Sequence, residues 1–168
     1  MCGIVGAVSK RNIVSILVQG LQRLEYRGYD SCGVAVHAVS LGSATGGLKR
    51  ARSTARVSEL IEQVAADKVE GGTGIAHTRW ATHGEPNDVN AHPHYSSSER
   101  FAMIHNGIIE NYEVLKTDLK QKGYTFQSET DTEVFVKFIE DIYLHNTCSL
   151  EEALRLALHK VVGAYAIV

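Results

Sequence analysis

Short apolar runs rich in β-branched residues alternate along this chain with stretches of helical period, and that alternation restricts the fold more than any other feature. Gly3–Val8 is an apolar run bounded by Ser9 and Lys10, of the length of a buried strand. Asn12 then opens a helix on which Ile13, Ile16, Leu17, Leu21 and Leu24 share one face. Gly28 can end it by entering the left-handed conformation that a side chain resists. Residues 33–37 and 48–51 read as two more strands, and residues 53–66 as a helix striped by Val57, Leu60, Ile61 and Val64. Residues 74–78 and 101–106 are further strands, separated by a loop over 79–98 that is long enough to expect a function of it. Three helices follow: residues 111–122, one opened by the capping box Thr130-Asp131-Thr132-Glu133, and one by Ser149-Leu150-Glu151-Glu152. Residues 164–168 form a last strand with no turn after it, so the domain is expected to continue beyond Val168. Alternation of this kind, taken alone, points to a parallel sheet.

At 168 residues the chain fits one domain with a real core, and a net charge of −2 argues against a nucleic-acid footprint. The basic stretch Lys49, Arg50, Arg52 and Arg56 reads as a solvated strand and helix start rather than a phosphate patch. No apolar run reaches the roughly 18–20 residues of a membrane span. The three cysteines, Cys2, Cys32 and Cys148, lack metal or redox spacing and suggest a reducing cytoplasm. Five histidines, His77, His83, His92, His94 and His105, have no recognised ligand spacing, so no metal is expected. Their expected role is to hold the long loop by hydrogen bonds.

Four segments carry chemistry. Cys2, once Met1 is removed, joins a thiol and a free α-amine on one residue, and ordinary pKa values of about 8.5 and 7.7–8.0 suit a nucleophile and its base. By itself Cys2 reads better as a small buried strand residue. The run from Gly72 to Gly84 sets Arg79 beside Trp80 at the end of a strand, and an arginine grips a carboxylate with two parallel hydrogen bonds. The alternative is a surface ion pair and a core indole. Asn106-Gly107 offers an amide and a backbone N–H of the kind that stabilises an oxyanion, and is also a common turn dipeptide. Asp131 could bind an ammonium group or simply favour a helix N-terminus.

Taken together these motifs resemble the N-terminal-nucleophile glutamine amidotransferases. The resemblance rests on Met1-Cys2-Gly3-Ile4-Val5-Gly6, on Arg79-Trp80-Ala81-Thr82-His83-Gly84, on Asn90-Ala91-His92-Pro93-His94, on His105-Asn106-Gly107-Ile108 and on Ser128-Glu129-Thr130-Asp131-Thr132-Glu133. Arg27-Gly28-Tyr29-Asp30-Ser31 is similar to the branch that aminates fructose 6-phosphate. The resemblance implies an α+β fold, a four-layer αββα sandwich with two stacked antiparallel sheets, here the N-terminal part of a glutaminase domain without the sugar isomerase domains. It implies Cys2 as nucleophile and Asn106 and Gly107 as oxyanion hole. Arg79 would bind the carboxylate of L-glutamine and Asp131 its α-amine. Trp80, Thr82 and His83 would belong to a loop closing over the substrate, with Arg27 near the nucleophile. It implies no cofactor, no membrane or nucleic-acid partner, fructose 6-phosphate only through the absent isomerase part, and a cytoplasmic homo-oligomer at full length.

Overall fold

A computed structural model describes residues 2–38, 47–81 and 84–168. In chain order its elements are β1 (Gly3–Val8), α1 (Val14–Leu24), β2 (Ser31–Ala38), β3 (Gly47–Ser53), α2 (Val57–Ala66), β4 (Thr73–Arg79), β5 (His94–Tyr95), β6 (Ala102–Met103), β7 (His105–Ile109), α3 (Tyr112–Gln121), α4 (Asp131–His145), α5 (Leu150–Leu158) and β8 (Gly163–Ile167).

The first sheet has the order β1-β4-β2-β3, and every pairing in it is antiparallel. The parallel sheet suggested by alternation is therefore not formed, and the topology gives the reason. β1 and β2, joined by α1, do run in the same direction, as a strand–helix–strand unit requires. β4 is inserted between them, antiparallel to both. A second ladder pairs β7 with β8, and Ile104 and Val168 extend it by one reciprocal backbone pair at 2.9 and 3.1 Å.

Each sheet is covered by its own helices. Leu17, Leu21, Val57 and Leu60 of α1 and α2 pack on Val34, Val36 and Ala76 of the first sheet. Leu115, Leu119, Phe135, Ile139, Ala153 and Ala157 of α3–α5 pack on Ile109, Tyr165 and Ile167 of the second. The result is the α+β four-layer αββα sandwich. A bond between His77 Nε2 on β4 and Asn106 Oδ1 on β7, at 2.6 Å, ties one sheet to the other.

Several local expectations shift. In α1 the buried stripe is Val14, Leu17, Val18 and Leu21, whereas Ile16 is exposed, and so is Ile61 of α2. Asn12 does not cap in the usual position: its Oδ1 accepts from the Val14 and Gly71 N–H groups, binding the helix start to the turn before β4. The expected strand over 101–106 divides into β6 and β7. Thr130 caps α4 by accepting from the Glu133 N–H at 3.2 Å, but the reciprocal half of the box is missing. Glu133 reaches back instead to the N–H groups of Gln127 and Ser128. Arg50 and Arg52 are half-buried rather than solvated: they donate to the carbonyls of Pro93, Val89 and Ala91 and so clamp the long loop onto β3.

Candidate active site

The register of the first sheet builds the site. Gly3 lies opposite Thr78, so one step beyond that pair brings Cys2 to the end of β4. There the Trp80 N–H donates to Cys2 Sγ at 3.2 Å, and Sγ lies 3.6 Å from the Trp80 carbonyl. Trp80 itself is exposed, its ring resting on Gly28. Gly28 adopts φ +76°, and a Cβ there would meet the indole at 2.9 Å, so glycine is required for this approach.

Arg79 is 3% exposed. Its Nη1 lies 3.5 Å from Asp30 Oδ1 and its Nη2 donates to the Gly84 carbonyl at 3.1 Å. Asp30 also accepts from the Ser31 hydroxyl and the Ala81 N–H, while its own N–H donates to the Arg79 carbonyl at 2.7 Å. One carboxylate thus fixes both the guanidinium and the chain that leads from it.

From the opposite sheet come Asn106 and Gly107. Gly107 holds φ +122°, and a Cβ would fall 2.1 Å from the Ala164 carbonyl oxygen of β8, so only glycine fits. Asp131 opens α4, buried, with Oδ2 accepting from the Ile109 N–H at 2.9 Å and Oδ1 3.8 Å from His105 Nδ1. It serves β7 as well as its own helix terminus.

A cavity of about 210 Å³ has Cys2, Arg79, Trp80, Gly107 and Asp131 in its wall. That is room for one amino acid. Wider hollows of about 560 and 610 Å³ lie beside Tyr26 and beside Tyr112, but neither has a thiol in its wall. Of the residues expected from sequence, five line the cavity. Asn106 adjoins it through His77 and Gly107, which do line it. Arg27 sits in the short helical turn before Gly28 and is not in the wall. Thr82 and His83 lie outside the described residues.

Sequence reasoning missed the rest of the wall: His77, His92, His105, Ile108, Thr130 and Thr132. Strand alternation contained part of the signal, since His77 and Arg79 are two apart on β4 and share a face. Of the five histidines expected to hold the long loop, His92 and His94 do so, His77 and His105 bond between β4, β7 and α4 instead, and His83 lies outside the described residues. His92 Nε2 and His105 Nδ1 both bond Thr132 Oγ1, at 2.9 and 3.0 Å, and His94 Nε2 bonds Thr130 Oγ1 at 3.1 Å. His92 packs against both His77 and His94. Burial, reinforced by neighbouring positive charge, pushes His77 down to about 4, His94 to about 3, and His92 well below the ordinary imidazole value. At pH 7 His77, His92 and His94 are therefore neutral hydrogen-bonding groups. Among the described residues no cluster of His, Cys, Asp and Glu is arranged to hold a metal.

Comparison with known proteins decides the family. The glutamine amidotransferase domain matches residues 62–161. This chain belongs to the glutamine amidotransferase family. Relatives of this amidotransferase domain include the glutamine–fructose-6-phosphate aminotransferases (isomerizing) of Bacteroides thetaiotaomicron and Vibrio cholerae. The first is 58% identical, covering 99% of this chain and 26% of that protein. The second is 53% identical, covering 100% of this chain and 26% of that protein. The amidotransferase chain therefore spans about a quarter of the length of these curated relatives. Among solved structures it is similar to the allosteric regulatory enzyme of purine biosynthesis, with TM-score 0.81 and 26% identity over 99% of this chain and 34% of that one. It is also similar to the phosphoribosylpyrophosphate amidotransferase of B. subtilis, with TM-score 0.79 and 25% identity over 99% of this chain and 34% of that one. The sandwich is that of the N-terminal-nucleophile amidotransferases. Among the described residues no helix is long and apolar enough to cross a membrane.

Proposed function

We propose that this chain hydrolyses L-glutamine to glutamate and ammonia through a thioester on Cys2. The observation that supports it most is the convergence of one thiol, one guanidinium and one carboxylate, from Cys2, Arg79 and Asp131, on a cavity sized for a single amino acid. Arg79 suits the α-carboxylate of glutamine and Asp131 its α-ammonium, which leaves the side-chain amide directed at Cys2. With Met1 removed, the α-amine of Cys2 takes the thiol proton and sulfur attacks the amide carbon. Asn106 and the Gly107 N–H carry the negative oxygen. Return of the proton from the α-ammonium to nitrogen expels ammonia. Water then adds to the thioester, giving up a proton to the amine, and release of glutamate restores the thiol. The chemistry requires no cofactor.

At full length we propose that the ammonia passes to fructose 6-phosphate, as the names of the relatives suggest, in a part of the protein beyond this glutaminase segment. A reducing, cytoplasmic setting is supported by three free cysteines. A glutamine-like diazoketone should label Cys2 alone in a protein whose intact mass lacks Met1. Cys32 is buried, with its thiol pushed up to about 12 by burial and by the charges of Glu25 and Glu59. Peptide mapping that found the label on Cys32 or Cys148 would overturn the assignment.

A further inference from the structure

His77 is a polar group at the sheet–sheet junction with no exposed surface, and the mechanism above gives it no task. Its Nε2 lies 2.6 Å from Asn106 Oδ1. Carboxamide oxygen only accepts, so at that distance the ring must donate, and the imidazole is the Nε2–H tautomer. The other ring nitrogen, Nδ1, has no hydrogen-bond partner among the described residues. The ring plane is held by His92, whose centroid is 4.4 Å away and whose own Nε2 is bonded to Thr132.

We propose that His77 is a positioning residue, whose buried Nε2–H grips Asn106 Oδ1 and thereby fixes which end of the Asn106 amide can be turned to the reacting carbonyl. The inference rests on the reading of Asn106 as an oxyanion donor. An asparagine amide presents an oxygen on one branch and an NH₂ on the other. Rotated by half a turn, it would set a lone pair rather than an N–H toward the developing negative charge, converting stabilisation into repulsion. Asn106 Nδ2 makes no hydrogen bond among the described residues, so the bond from His77 is the contact that separates the two orientations. Because His77 stands on β4 two residues before Arg79, the same strand positions the carboxylate grip and, through Asn106 on β7, the oxyanion donor.

The test is a mutant cycle on glutamine hydrolysis by the protein bearing this chain. His77→Met keeps an unbranched side chain of similar size without the donor. It is expected to lower kcat by about 10–100-fold with KM for glutamine within about threefold, since substrate grips are untouched. His77→Gln returns a donor at nearly the position of Nε2 and should recover most of kcat. Asn106→Ala should lose on the order of 10²–10³ in kcat, and adding His77→Met to it should cost little more, because the residue being positioned is gone. Full additivity in the double variant, or wild-type kcat in His77→Met, overturns the role of His77 and leaves the Asn106 reading standing. Wild-type kcat in Asn106→Ala sinks the underlying reading itself. Should His77→Met fail to fold, nitrogen-15 NMR of the wild-type imidazole decides: a proton on Nε2 and none on Nδ1 supports the proposal. A proton on Nδ1 would reverse the amide and overturn it.

Discussion

Acidification from about pH 7 to pH 5 should destabilise this protein well before its carboxylates titrate. In the fold His77 and His94 are held down to about 4 and about 3, and burial and its histidine neighbours hold His92 well below the ordinary imidazole value. Unfolded, each regains an ordinary value of about 6.5. Unfolding therefore takes up protons below about pH 6.5. The stability these groups contribute is fully present above that value and is lost as pH falls toward their folded values. At pH 5 an unfolded imidazole gains RT ln(1 + 10^1.5), about 2 kcal/mol, that its buried counterpart cannot. His77 and His94 together then cost about 4 kcal/mol, and His92 acts in the same direction. A domain with ~5–15 kcal/mol in total is brought close to its limit by such a loss. Glu133 and Glu140 come later. Burial alone would raise both, but Lys137 and Ser128 around Glu133, and Ser96–Ser98 around Glu140, more than offset it and hold each below the ordinary range. Their contributions are lost only as pH falls through roughly 4 and below. Urea unfolding at pH 7, 6 and 5 is the assay, with the midpoint expected to fall steadily over that interval. A midpoint flat down to pH 5 would show that these histidines are not buried neutral in the fold.

Two substitutions probe the site from its two sides. Arg79→Lys keeps the charge but loses the planar fork, so KM for glutamine should rise by about tenfold or more while kcat changes less; unchanged KM with collapsed kcat would mean that Arg79 acts in the transition state instead. Gly107→Ala places a methyl group 2.1 Å from the Ala164 carbonyl at a φ of +122°, so it should separate β7 from β8 and cost at least about 2 kcal/mol. A thermal melt superimposable on the parent's would show that this strand pair can shift, contrary to the geometry.

Much of this could be read from residue order. The periods of α1, α2 and α4, the Thr130 and Ser149 caps, and the turn glycine at 28 are local properties, decided within a few residues by side-chain spacing and backbone freedom. So were the candidates Cys2, Arg79, Asn106, Gly107 and Asp131, each legible because its residue type and immediate neighbours suit one chemical task. Local pattern misled where a longer-range partner competed. Ile16 fits the helical stripe by spacing but has no opposing surface, and Arg50 and Arg52 look solvated until the loop returns to offer carbonyls.

What the sequence alone determined is therefore the list of elements and the chemical vocabulary of the site. Only the tertiary structure decided how they are joined. β4 enters between two strands that the chain pattern would have set side by side, because strand order depends on contacts between residues 36 to 75 positions apart. That single insertion carries Arg79 and Trp80 to Cys2, and His77 across to Asn106. The neutrality of His77, His92 and His94 has the same origin. An imidazole's charge depends on the solvent excluded from around it, and exclusion is achieved only when two helix-covered sheets close on each other.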